Sequence, residues 1–357
     1  MPEYFIDLSF AAAIQIIVLG FIGGVLSGFI GSGGAFFMTP GMMNLGVPGP
    51  VSVASNITHK FGKAMMGSRK HGEMGNVDRK LGIFLIITAV AGIQLAAWIM
   101  GRLFEEGGDS HGAVQGAGAN LYISLVFVLI LSLVGLSMLR DAMRATKDEA
   151  GPSKKITRFL SGLRLSPFVY FPVSDVKVSL WILLAVGLAT GYLAGTIGVG
   201  GFIGVPAMIY VFGIPTAVAA GTELYLAMFM GATGALTYAF KGLVDLRLTM
   251  LLYLGSLVGI YIGVYGTKVV REVMIRYVTG VIILICVVSR AIPIPMYLRQ
   301  LGYLEMNPAW DVYFNVVSKV FLFLAGFIGC GIILWNVVKA YRQRSRVRAS
   351  LLAARAQ

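Results

Sequence analysis

Asn56, His59, Lys60 and Lys63 recur at intervals of three and four residues within a stretch, 51–66, that reads as a helix. That spacing puts them along one helix face. An amide, an imidazole and ammonium groups on one face are hydrogen-bond donors suited to an oxyanion. At a shift of 167 residues Glu223 takes the place of Asn56, and it is the only acidic residue between Asp175 and Asp245. A lone carboxylate in a long apolar region can carry a proton, or it can pair with a lysine elsewhere such as Lys60. For His59 and Lys60 the site reading stands level with a purely structural one. Lys63 is expected to snorkel to a membrane–water interface.

The same shift governs a second set of residues. Gly28, Ile30, Gly31, Gly33 and Gly34 map onto Gly195, Ile197, Gly198, Gly200 and Gly201, and Gly46 and Pro48 map onto Gly213 and Pro215. Gly75, Val77 and Asp78 map likewise onto Gly242, Val244 and Asp245. One offset held over roughly sixty residues marks an internal duplication. Glycine clusters inside hydrophobic segments at matching places in two halves point to helices broken within a membrane, with a binding site at the breaks. A broken helix exposes backbone N–H groups and a partial positive charge, which suit an anion. Gly31, Ser32, Gly33, Gly34, Gly198, Gly200 and Gly201 are therefore the backbone and hydroxyl candidates, with Thr39 and Thr196 as further hydroxyls. Gly20, Gly24, Gly28 and their mates Gly187, Gly191 and Gly195 follow the four-residue spacing of close helix packing instead.

These candidates need elements to hold them. The chain has 357 residues, of which 57% are hydrophobic and 13% charged, half the charge share of a soluble domain. Apolar runs at 10–45, 81–100, 121–139, 179–197, 248–264, 277–288 and 312–338 approach or exceed the length of a membrane span. The expected fold is an all-α polytopic membrane protein of two homologous halves with glycine-broken helices and seven to nine spans. The first repeat is placed at 1–140 and a basic cytoplasmic linker with a short amphipathic helix (Ile156, Phe159, Leu160, Leu163) at 141–177. The second repeat follows at 178–290, then an interfacial loop, a last span and an Arg-rich cytoplasmic tail at 291–357. The N-terminus, with Glu3 and Asp7 and no basic residue, lacks a secretory n-region, so the first apolar run is expected to be retained. Basic residues at 69–80, 140–177 and 342–348 assign those segments to the cytoplasmic side and leave 241–247 outside, which favours inverted halves.

Composition also excludes classes. The net charge of +13 is concentrated in loops and tail, as the positive-inside rule expects, rather than implying a nucleic-acid partner. The two cysteines, Cys286 and Cys330, lie in separate apolar runs without ligand spacing, and His71 and His111 lack partners in sequence, so no metal or cofactor is expected. No nucleophile motif or phosphate loop accompanies them, which argues against an enzyme or an ATP-driven pump. Asp78 and Asp245 read as helix N-caps.

At these residues the chain resembles the TauE/SafE family of membrane permeases, named for sulfite and sulfoacetate export. The resemblance rests on the duplicated Gly-x-x-Gly-x-Gly-Gly cluster, on Pro40 or Pro206 after it, on Gly-x-Pro at 46–48 and 213–215, and on Gly-x-Val-Asp before a span. It implies a secondary transporter of small, often sulfur-containing anions in the bacterial inner membrane. The expected mechanism is alternating access with Asn56, His59 and Lys60 at the substrate and Glu223 coupling to protons. Partners are then the anion, protons and the lipid bilayer. An anion channel through the same broken helices is the competing reading.

Overall fold

The computed structural model describes residues 5–30, 34–105, 116–145, 166–198, 200–270 and 272–355. The first repeat comprises α1 (Phe10–Ile30), α2 (Ala35–Asn44), α3 (Gly49–Glu73), α4 (Arg79–Glu105) and α5 (Ala117–Ala145). A two-stranded antiparallel hairpin, β1 (Phe168–Phe171) and β2 (Val176–Ser179), introduces the second repeat. That repeat comprises α6 (Leu180–Ile197), α7 (Gly201–Pro206, continuing as a π-helical turn, Ala207–Val211), α8 (Thr216–Phe240), α9 (Leu246–Val269) and α10 (Glu272–Ala291). A short α11 (Ile294–Gln300) and a long α12 (Trp310–Arg355) follow.

The duplication extends to the backbone. α3 and α8 each have 25 residues, and their bounds coincide at the shift read from sequence. Gly46 and Gly213 both take positive φ (91° and 75°), as do Gly75 and Gly242 (72° and 69°), so the turns flanking α3 and α8 repeat in conformation. Pro48 and Pro215 sit at the N-caps of these helices, where an absent N–H costs nothing. Asp78 Oδ1 accepts from Leu81 N at 3.0 Å and Asp245 Oδ1 from Arg247 N at 2.9 Å, the N-caps expected for α4 and α9.

Packing fixes the relation of the halves. α1 lies along α9 in parallel, with Gly20 against Leu252 and Gly24 against Ser256; α6 lies along α4 in the same way, with Gly187 against Leu85 and Gly191 against Ala89. Each repeat's first helix thus rests on the fourth helix of the other. These contacts are backbone to backbone: a Cβ at Gly20 would fall 2.6 Å from the Leu252 carbonyl oxygen. α3 crosses α8 antiparallel (Ile57 at Gly234, Phe61 at Gly231), and α5 crosses α10 antiparallel (Gly135 at Leu284, Leu139 at Gly280). Corresponding helices run in opposite senses, so the repeats are inverted.

Among the described residues, seven helices are long and apolar enough to span a membrane. α3 and α8 are long enough, at about 37 Å, but too polar to qualify by composition. They form the centre of the molecule, shielded by the others. The segments 69–80, 140–145, 166–179 and 272–276 share one end with the C-terminal part of α12, while 241–247 and 292–311 share the other. Among the described residues the one sheet is the hairpin, which sequence patterning missed. The hairpin buries Phe171 and holds Asp78 Oδ2 through Ser174 N and Oγ (3.2 and 2.7 Å). The amphipathic run of the linker lies outside the described residues.

Candidate functional site

Every residue of the half-helix α2 whose side chain is described, Phe36 to Asn44, is buried. Gly34, its N-cap, packs against the backbone of Gly23, so the chain turns back alongside α1 after the break. α2 therefore starts in the interior of the molecule, where Phe37 N and Met38 N both donate to the Gly34 carbonyl (3.1 and 3.2 Å). α7 is placed equivalently, with Gly200 at its N-cap against Ala194 and Met230. Gly31, Ser32 and Gly33 lie outside the described residues.

The sequence-derived candidates fall into two groups. In the first, Asn56 Nδ2 donates to Thr39 Oγ1 at 2.8 Å, and Thr39 Oγ1 donates to the Ile197 carbonyl at 3.1 Å. Gly198 closes α6 in the left-handed region, with φ 78°, directly beside the Asn56 amide and the Thr39 hydroxyl. A side chain there would meet both strain and the Asn56 nitrogen. This group ties the broken end of α6 to α2 and α3. Thr196 instead bonds back to Tyr192 O at 2.8 Å within its own helix, away from this group.

The second group surrounds Glu223, which is 3% exposed. Neither carboxylate oxygen has a hydrogen-bond partner, nor does the neighbouring hydroxyl of Thr190. The carboxylate lies against Gly204 of α7, where no side chain intervenes. Glu223 is eleven residues from Gly234, the residue facing Ile57, so about 16 Å of helix rise separates the two groups.

Lys60 and Lys63 lie between them. They are the twelfth and fifteenth of the 25 residues of α3, at its midpoint beside the crossing with α8, and both are half-buried. Lys63 thus sits near mid-helix rather than in the last turn of α3. The charge of Lys60 is within electrostatic range of Glu223 and of Lys63, though no ion pair joins it to the carboxylate. α3 is fully buried from Gly49 to Ile57 and opens from Thr58 onward, reaching exposed Met65 and Met66. His59 points away from this face: its Nε2 lies 2.7 Å from Ser256 Oγ and its ring stacks at 4.6 Å on Tyr253, both on α9.

Two features escaped sequence reasoning. Ser55 and Thr222, one residue before Asn56 and Glu223, each accept a hydrogen bond from the backbone N–H of the opposite repeat's capping aspartate (Asp245 at 3.2 Å, Asp78 at 3.0 Å). Their equivalence under the shift was the available signal. Arg290, in the last turn of α10, is fully buried; the end of an apolar run reads as an interface in sequence, so nothing there marked it. Among the described residues no group of His, Cys, Asp and Glu could hold a metal ion.

Comparison with known proteins agrees with this architecture. The chain is 25% identical over 274 residues to the probable membrane transporter protein YjnA of Bacillus subtilis, covering 76% of this chain and 97% of that one. It is 23% identical over 272 residues to the probable membrane transporter protein YunE of the same organism (74% and 90% covered). A probable membrane transporter protein of Xylella fastidiosa is 27% identical over 255 residues (71% and 84%). No solved structure matches the chain. The profile of the family described as Sulfite exporter TauE/SafE matches residues 16–290, from within α1 to the last turn of α10. The chain belongs to the TauE/SafE sulfite exporter family and is a multi-pass membrane transporter.

Proposed function

We propose that this protein is a secondary transporter of small anions, sulfite or organosulfonates by class, in a bacterial inner membrane. It works by alternating access with proton coupling at Glu223. The observation that carries this reading is the position of Lys60 and Lys63: two half-buried ammonium groups midway along α3, the helix that crosses α8. A lysine at that depth is too costly against hydrocarbon, so the face it occupies lines a water-accessible crevice. A cationic crevice concentrates anions. The bonded group Asn56–Thr39–Ile197 closes it toward one end, and the widening exposure of α3 opens it toward the basic, cytoplasmic end.

Glu223 supplies the coupling. A carboxylate with neither oxygen bonded, near an ammonium it does not touch, has two accessible states: protonated and apart, or ionised and drawn toward Lys60. An anion at Lys60 competes with the second state and favours protonation, which links anion and proton in one direction. Gly34 at the start of α2, and Gly200 and Gly201 at the start of α7, are the backbone contacts proposed for the anion. The sulfur assignment follows the family description.

The test is flux into proteoliposomes of sulfite, sulfoacetate, thiosulfate and sulfate, with and without a pH gradient. Saturable uptake of one of them, driven by the gradient and uncoupled from it in Glu223→Gln, is expected. Inertness of all four overturns the sulfur assignment; currents beyond carrier turnover overturn the carrier mechanism in favour of a pore.

A further inference from the structure

The two half-helices are equivalent in sequence position but are not held equally. α2 ends on Asn44, whose Oδ1 accepts from Arg290 Nη1 at 3.2 Å and from Ser318 Oγ of α12 at 3.0 Å, while its Nδ2 donates to Ser289 Oγ at 3.3 Å. Arg290 Nε donates to Ser124 Oγ of α5 at 3.0 Å, and Nη2 donates to the Tyr297 hydroxyl of α11. This guanidinium is wholly buried and bonded only to neutral groups. The C-terminal poles of α2 and α10 are the negative charge available to it, and all three of its nitrogens are used. Arg290 therefore pins four elements, α2, α5, α10 and α11, and Asn44 extends the pin to α12.

The second half-helix has no counterpart. Val211 stands where α2 has Asn44 and Pro206 where it has Thr39. Its last turn is π-helical, a geometry that often marks a functional irregularity. Its outer face is also bare. α12 packs Gly326 against Ile22 and Phe37 over the first half-helix, whereas Ala189, the equivalent of Ile22, lines an apolar surface groove of about 390 Å³ with Trp181 and Ile203. α11 and α12 lie beyond the part of the chain that matches the family, so the clamp joins the family core to an addition.

We infer that Arg290 is a positioning residue that locks α2 to α5 and α11 directly, and to α12 through Asn44, so that the transport cycle proceeds by movement of α7 against a static α2. This rests on the transporter reading. Its mechanical part is measured without substrate, so the two fail separately.

The experiment uses the full chain in nanodiscs and proteoliposomes. Hydrogen exchange in the wild type should be at least tenfold faster in peptides covering 201–212 than in those covering 35–45. Arg290→Leu should raise exchange in α2 by a similar factor and leave α7 unchanged. In a background with Cys286 and Cys330 replaced, bridging the pair Phe37→Cys and Gly326→Cys with a short bifunctional thiol reagent should leave flux within twofold of its unbridged control. Bridging Ala189→Cys with Ile203→Cys in the same way should abolish it. Adding the Phe37–Gly326 cross-link to Arg290→Leu should restore kcat, which a merely structural loss would not allow. Equal exchange in α2 and α7, or loss of flux on cross-linking α2 to α12, overturns the inference. If Arg290→Leu does not fold, the wild-type exchange and the two cross-links still decide it.

Discussion

At the scale of single residues, the proposed mechanism gives Lys60 the anion and Glu223 the proton. A charge-assisted contact to an anion is worth about 1.5–3 kcal/mol, and each 1.4 kcal/mol is tenfold in affinity. Lys60→Met should therefore raise KM for the transported anion by about tenfold or more while the protein still inserts, a result read from flux kinetics in proteoliposomes. Glu223→Gln should leave anion exchange intact and make it insensitive to pH between 5.5 and 8 (roughly the range over which a coupled carboxyl would act), whereas wild-type flux varies across it. Tyr238 is a structural control: its hydroxyl donates to the Gly195 carbonyl at 2.6 Å in a fully buried position. Tyr238→Phe should lower stability by about 1 kcal/mol, seen as a reduced Tm with unchanged KM. The polar face of α3 was legible from the spacing of Asn56, Lys60 and Lys63. The turning of His59 toward Ser256 was not, because it depends on which helix packs behind α3.

At the scale of elements, the glycine stripes separate packing from break. Gly20 and Gly24 meet the backbone of α9 directly, so the helices touch without side chains between them. Gly24→Val should cost at least about 1–3 kcal/mol by overpacking and reduce the folded yield in detergent. Gly331→Ala, on α12 with nothing within 4 Å of the added carbon, should cost nothing measurable. Thermal unfolding of the two variants side by side checks this. Sequence spacing anticipated these roles, since residues four apart share a face, while adjacent glycines at 33–34 and 200–201 do not. Spacing did not reveal the hairpin at 168–179, whose strands are four residues each and whose hold on Asp78 comes from another repeat. Nor did it reveal that α2 is clamped and α7 is not, because Arg290, Asn44 and Ser318 are far apart in the chain and each is ordinary alone.

Over the whole molecule, inversion sets the packing. Each repeat's first helix rests on the other repeat's fourth, so the halves cannot separate, and α3 and α8 are left crossing at the centre. The duplication was visible as one constant shift. The inverted sense was legible from basic residues alone, because 69–80 and 241–247 are equivalent in the repeat yet fall at opposite ends. The depth of Lys63 was not legible, since a lysine two-thirds of the way along a polar run reads as an interface until the enclosing helices are in place. The most direct test of the account is the accessibility of that depth. Lys63→Cys, in a background with Cys286 and Cys330 replaced, is exposed to a membrane-impermeant cationic thiol reagent from either side of oriented vesicles. The account predicts labelling from the basic, cytoplasmic side and strongly reduced labelling from the other. Absence of labelling from both sides, with reaction only to lipid-soluble reagents, would contradict a cation-lined aqueous crevice at the centre of α3.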